Sequence, residues 1–351
     1  MSEVLVVSLG TTLGLRVADS LLVSMLGEAG CSAEAISVKL GATGTLRRGY
    51  PANDIVEAIA ARRALTQALA VRPSPRALLF STVTAAMLAR NQGIPYGVRL
   101  DSPAALNRWG ARNAPVRWLE RRPLARARLV IPLGNAGAAA LPAGSARAAV
   151  VPVPIEPSGG VKGARDLDLA VAYVPDPKVK GLDVLCAAWQ EVAGGARRLE
   201  IFGIERDAAL AFLRRRRLGE PRPGVTFRGF VNRATFRAAL RGARCFVSAA
   251  RWEDFGQAPL EALRDGALLV TTPARGPYEA LSIARDLDCE LVARSLDSVS
   301  LAGALRAAYA RDGDARAVYQ ARAALRLEPY RRQAAVATLR ERVLPLLLGP
   351  H

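Results

Sequence analysis

Two glutamates, Glu253 and Glu261, separated by seven residues in the stretch RWEDFGQAPLEALRDG, are the side chains best placed to do chemistry. Glu253 falls on a glycine-containing loop, and Glu261 is expected in the first turn of the helix that follows. Pro259 suits that turn, where its missing N–H leaves no bond unmade. The amides around Gly256 and Gln257 then lie unpaired at a helix N-terminus, which suits a diphosphate with the helix dipole assisting. Carboxylates beside a phosphate site can accept rather than repel when the ligand brings vicinal hydroxyls. The ligand these residues imply is a sugar nucleotide.

Elements of a particular kind must position them. Apolar FVSAA (246–250) before the pair and ALLVTTP (267–273) after it read as buried strands. Strand, loop, helix and strand in that order build a crevice in a parallel sheet. The same alternation runs through the chain. VLVVSL, AISVKL, RALLFST, YGVRLD, RLVIPLG and AAVVPVPI are short β-rich runs. LRVADSLLVSMLGEAG and NDIVEAIAARRALTQALA between them repeat apolar residues at helical spacing. PVPIEPSGGVKGARD, rich in Pro and Gly, reads as a hinge near residues 155–165. The rhythm then restarts with LAVAYV, and the last forty residues read as helices. The expected fold is α/β: two Rossmann-like, doubly wound domains facing a cleft. They span 1–155 and 156–335, and a terminal helix over 336–351 is expected to pack back on the first.

The chain has 351 residues, enough for two such cores, and 51% are apolar. No run of about 18 apolar residues marks a membrane span. MSEVLVVSLGTTLG places Glu3 where a secretory leader carries basic residues, so a cytoplasmic protein is expected. Cys31, Cys186, Cys245 and Cys289 lie far apart and read as reduced thiols rather than a disulfide frame or zinc site. The formal charge is +18, from 49 basic and 31 acidic residues. Such a surface could attract anionic lipid, giving peripheral contact with the inner membrane face, or it could serve solubility alone. Nucleic acid is disfavoured because aromatics, at 5%, do not interleave with the basic residues. The run 112–129 (RNAPVRWLERRPLARARL) reads either as a basic amphipathic membrane contact or as a surface helix whose arginine stems cover apolar neighbours.

From about residue 168 to 295 the order of signals resembles the donor domain of retaining glycosyltransferases of family four, which have the glycosyltransferase B fold. The pieces are VAYVPDPKVKGLDVLCAAW, RLEIFG, VTFRGFVNRATFRAALRGARCFVSAA and EDFGQAPLEALRDGALLVTTPARGPYE. The resemblance implies that Glu253 binds donor-sugar hydroxyls, Glu261 the ribose diol, and Gly256 and Gln257 the sugar or diphosphate. It implies that Lys180 neutralises the phosphates and that the base pocket opens at Phe230 and Val231. Gly14 would face the donor phosphate and Asp101 would act near the sugar. It also implies front-face transfer with retention, no cofactor beyond the donor substrate, no metal, and a glycan, lipid or small-molecule hydroxyl as acceptor.

Three departures stand out. Tyr173 occupies the place of the family's phosphate-binding arginine, leaving Arg206 or Arg251 as substitutes. Leu100 precedes Asp101 where the family often has histidine, which would suit a donor lacking the outer hydroxyl. GTTLGLR has single glycines, Gly10 and Gly14, where relatives often have a pair, with Arg16 expected to face the cleft. The sole histidine, His351, is terminal, which excludes serine- or cysteine-histidine catalysis. The alternative reading is a catalytically weak nucleotide-sugar-binding subunit that scaffolds or regulates a partner.

Overall fold

The computed structural model describes residues 2–10, 13–40, 51–159 and 165–349, with the side chains of 13–15 left out. The chain forms two compact units. One joins Met1–Pro154 to Arg332–His351, and the other is Ile155–Arg331.

The first unit runs β1 (Val4–Ser8), α1 (Leu13–Glu28), β2 (Ala33–Ser37), α2 (Ala52–Val71), β3 (Ala77–Phe80) and α3 (Val83–Ala86). It continues with β4 (Tyr96–Leu100), α4 (Ala104–Asn107), α5 (Ala114–Arg126), β5 (Leu129–Pro132) and α6 (Asn135–Ala139). The strands form one parallel sheet in the order β2-β1-β3-β4-β5. Strand β1 shows why both faces are covered. Val4 and Val6 pack with Leu22, Met25 and Leu26 of α1, while Leu5 and Val7 pack with Ala60, Ala61 and Leu65 of α2. Uninterrupted apolar sequence is what a strand buried on both sides requires.

AAVVPVPI does not form the expected strand. Val130 pairs with Ala148 in a single bridge, and the amides of Ala149 and Val151 reach the carbonyls of Val130 and Pro132. Pro152 and Pro154 then remove the donors a ladder would need.

The second unit runs β6 (Asp166–Tyr173), α7 (Leu182–Val192), β7 (Arg198–Phe202), α8 (Arg206–Arg215), β8 (Val225–Gly229), α9 (Arg233–Gly242) and β9 (Ala243–Ser248). It ends with α10 (Gln257–Arg264), β10 (Leu268–Thr271), α11 (Glu279–Leu287), α12 (Ser298–Ala310) and α13 (Gly313–Arg326). Its parallel sheet has the order β10-β9-β6-β7-β8.

The chain then returns to the first unit through α14 (Arg332–Thr338), a π-helical turn (Leu339–Val343) and α15 (Leu344–Leu348). Helix α14 spans the boundary drawn at residue 335 from the sequence. Val336, Leu339, Val343 and Leu347 share the apolar cluster of Val4 and Val6. Among the described residues no helix is long and apolar enough to cross a membrane.

Candidate functional site

In the second unit the sheet order reverses between β6 and β9. The connections leaving those two strands part to opposite faces, and ligands of doubly wound sheets bind in the crevice beyond the carboxyl ends at that point. The loop after β6 carries Lys180, and the loop after β9 carries Glu253 and Gly256.

The two loops are tied together. The Arg251 amide donates to the Val179 carbonyl (2.9 Å), and its guanidinium donates to both Asp183 oxygens (2.9 and 2.8 Å) and to the Lys178 carbonyl. Gly181, at φ +65°, presses so closely on the Ala249 carbonyl that any Cβ would collide with it. Lys180 Nζ thereby donates to Glu253 Oε2 at 2.8 Å, the two side chains 20% and 14% exposed. Burial pushes the Glu253 carboxyl above its usual pKa, and the Lys180 charge opposes that rise.

Gly256 caps α10 in the left-handed region, φ +80°, and a Cβ there would lie 2.6 Å from the Tyr278 ring. Tyr278 is itself buried, with its hydroxyl 3.1 Å from Thr271 Oγ1. The amides of Gly256, Gln257 and Ala258 make no hydrogen bond among the described residues. They form the positive end of α10 and lie beside Lys180 and Glu253.

Glu261 stands in the second turn of α10 rather than the first, because the helix begins at Gln257. Its 5%-exposed side chain accepts on Oε1 from Arg233 Nη2 (2.5 Å), Arg233 Nε (3.2 Å) and Gln257 Nε2 (3.2 Å). Arg237 Nη1 lies 3.6 Å from the same oxygen and binds Asp265 at 2.6 and 2.8 Å. Among the described residues all hydrogen bonds to the carboxylate thus fall on Oε1.

Sequence reasoning missed Arg233 and Arg237, although a signal existed. Two arginines four apart on α9 answer two acids four apart, Glu261 on α10 and Asp265 at its C-cap. Glu205 was also missed; it accepts the Phe230 amide at 3.2 Å. The Phe230 side chain is 69% exposed, and the Val231 amide is unbonded among the described residues.

The remaining expectations fare differently. Arg251 is committed to Asp183, and Arg206 is a surface side chain 3.8 Å from Glu220. Tyr173 closes β6 with its ring 5.2 Å from Phe236; burial first, then the Glu261 charge, raises its hydroxyl pKa. In the first unit Asp101 is exposed at the end of β4 and accepts the Ser102 amide. Leu100 is 2% exposed and packs in the core with Val98, so it presents nothing to a ligand and does not favour a deoxy donor. Arg16 folds back to donate to the Gly10 carbonyl. The surroundings of Gly14 lie outside the described residues. Among those residues no group of three or more His, Cys, Asp or Glu could hold a metal ion.

Residues 169–311 match the family of glycosyl transferases group 1. No curated protein sequence matches the chain. Sucrose-phosphate synthase from Thermosynechococcus elongatus superposes with a TM-score of 0.72 at 15% identity, covering 95% of this chain and 96% of its own. HepE of Anabaena, solved with UDP and glucose, gives 0.71 at 15% identity, covering 98% and 99%. A UDP-forming α,α-trehalose-phosphate synthase from Burkholderia xenovorans gives 0.70 at 13%, covering 99% of each chain. The structural likeness shows a glycosyltransferase B fold. With the family match, the chain is a glycosyltransferase.

Proposed function

We propose that the protein transfers a glycosyl group, with retention of configuration, from a nucleotide diphosphate sugar to a hydroxyl acceptor. The observation that carries this reading is the constellation beyond β6 and β9: Lys180 and Glu253 in contact beside the unpaired amides of Gly256 and Gln257. UDP and glucose in HepE make a UDP-hexose the first donor to try.

The diphosphate would take Lys180 and the α10 amides as donors, and the sugar hydroxyls would take Glu253. Glu261 Oε2 carries none of that carboxylate's bonds and would accept from the ribose diol. Val231, with its free amide, and the exposed Phe230 side chain would meet the base. Arg233 would supply the charge that Tyr173 lacks, since its guanidinium is 48% exposed beside Glu261.

In the chemical step the bond from the anomeric carbon to the diphosphate oxygen breaks, and the acceptor oxygen bonds to that carbon on the same face. The acceptor proton passes to the departing diphosphate. No histidine base is needed, and positioning and charge stabilisation do the work.

The test is release of nucleoside diphosphate from a donor panel, with the product anomer read by NMR. Transfer with retention, abolished by Lys180→Ala, is the expected result. An inverted product overturns the retaining mechanism, and release unaffected by Lys180→Ala overturns the site.

A further inference from the structure

A cavity of about 660 Å³ opens within the first unit, lined by the segment between α3 and β4 and by one face of α5. None of its residues belongs to the site described above. Arg90 enters from the first segment, and Trp118, Arg122 and Arg126 enter from α5. The last three repeat every four residues and so share one helix face. All three arginines are exposed, none makes a hydrogen bond or ion pair among the described residues, and no acidic residue lines the cavity. Arg122 and Arg126, a turn apart with like charge, repel each other until an anion lies between them.

The walls are held in place. Asn91, Gln92, Gly93 and Ile94 make a tight turn, closed by Ile94 N–H donating to the Asn91 carbonyl (2.8 Å) and Asn91 Nδ2 to the Ile94 carbonyl (2.7 Å). Gln92 sits at φ +50° and Gly93 at φ +82°, the positive pair such a turn demands. Tyr96 forms part of the floor, with its hydroxyl donating to the Pro123 carbonyl (3.2 Å) and its ring edge-on to Phe80 at 5.6 Å. Trp118 is 70% exposed at the same opening, a large apolar face beside a cluster of charge.

We propose that this cavity binds a phosphate ester, its phosphate held by Arg90, Arg122 and Arg126 and its apolar part laid against Trp118. Planar guanidinium forks match phosphate oxygens in pairs. The same chemistry is offered by a soluble phosphate ester and by the headgroup of an anionic lipid.

The experiment follows tryptophan emission of the full chain with glycerol 3-phosphate and with phosphatidylglycerol vesicles, using phosphatidylcholine vesicles as the uncharged control. A response to glycerol 3-phosphate assigns the site to a soluble ester, and a response to phosphatidylglycerol alone assigns it to a lipid. In either case Trp118→Phe should abolish the signal, and Arg122→Gln with Arg126→Gln should weaken binding about tenfold or more. Arg112→Gln with Arg121→Gln removes the same charge outside the cavity and should leave affinity within about twofold. Should the α5 pair fail to fold, Arg90→Gln reads the opposite wall. Equal weakening by both double variants would reduce the effect to general surface charge and overturn the proposal. So would the absence of any response to either phosphate probe.

Discussion

Glu261 shows how a buried carboxylate can keep one oxygen clear of its neighbours. At 5% exposure Arg233, Arg237 and Gln257 crowd Oε1, and among the described residues Oε2 takes no hydrogen bond. Hydrogen bonds to a charged group contribute about 1.5–3 kcal/mol, so Glu261→Ala should weaken nucleoside diphosphate binding about thirtyfold. Unchanged affinity in a calorimetric titration would remove Glu261 from the donor site. Arg233→Ala separates charge from shape. It should cost a nucleoside diphosphate about tenfold in affinity and the bare nucleoside little, because only the former carries phosphate. Equal losses for both ligands would make Arg233 merely a support for Glu261. The acidic pair and Gly256 were legible in the sequence because helix starts and phosphate loops leave local signatures. Arg233 left only the four-residue spacing it shares with Arg237, and which acid it meets depends on how α9 packs on α10, which that spacing does not record.

Between elements, glycine sets the spacing of the site. At Gly181 a methyl group would strike the Ala249 carbonyl, and at Gly256 it would strike Tyr278. Gly181→Ala should therefore push the Lys180 loop from the Glu253 loop, lowering thermal stability by roughly 2 kcal/mol or more and abolishing transfer. A variant of ordinary stability and activity would show that the close approach is dispensable. In the first unit Glu120 of α5 accepts the Ala104 amide with both oxygens, at 2.8 and 2.9 Å, and is only 2% exposed. Burial raises its pKa to about 7. A carboxyl raised in the folded state contributes stability that is complete below its unfolded pKa and is lost as pH climbs through about 7. The penalty at pH 8 is on the order of 3 kcal/mol. Glu120→Gln keeps an acceptor and should raise the melting temperature at pH 8 relative to pH 5, and an equal shift at both would contradict the assignment. Strand and helix alternation was plain in the sequence because both sheet faces demand apolar runs. AAVVPVPI misled because its composition is that of a strand while Pro152 and Pro154 remove its donors.

At the scale of the molecule, the two units differ in how the chain builds them. The second is continuous, Ile155–Arg331, whereas the first needs Arg332–His351 to fill its core beside Val4 and Val6. A fragment of residues 155–331 should fold alone and bind nucleoside diphosphate within about threefold of the full chain. A chain ending at Arg331 should leave the first unit unfolded, as read by loss of cooperative melting. Net charge of +18 was legible from composition, but the meeting of Arg90, Arg122 and Arg126 at one acid-free cavity required the packing of α5. The most direct measurement is calorimetric titration of nucleoside diphosphate sugars into the wild-type chain, Lys180→Ala and Glu261→Ala. Saturable heat with at least one donor, weakened about tenfold or more by each substitution, is the expected result. No heat with any donor, or heat that survives both substitutions, would contradict a donor site beyond β6 and β9.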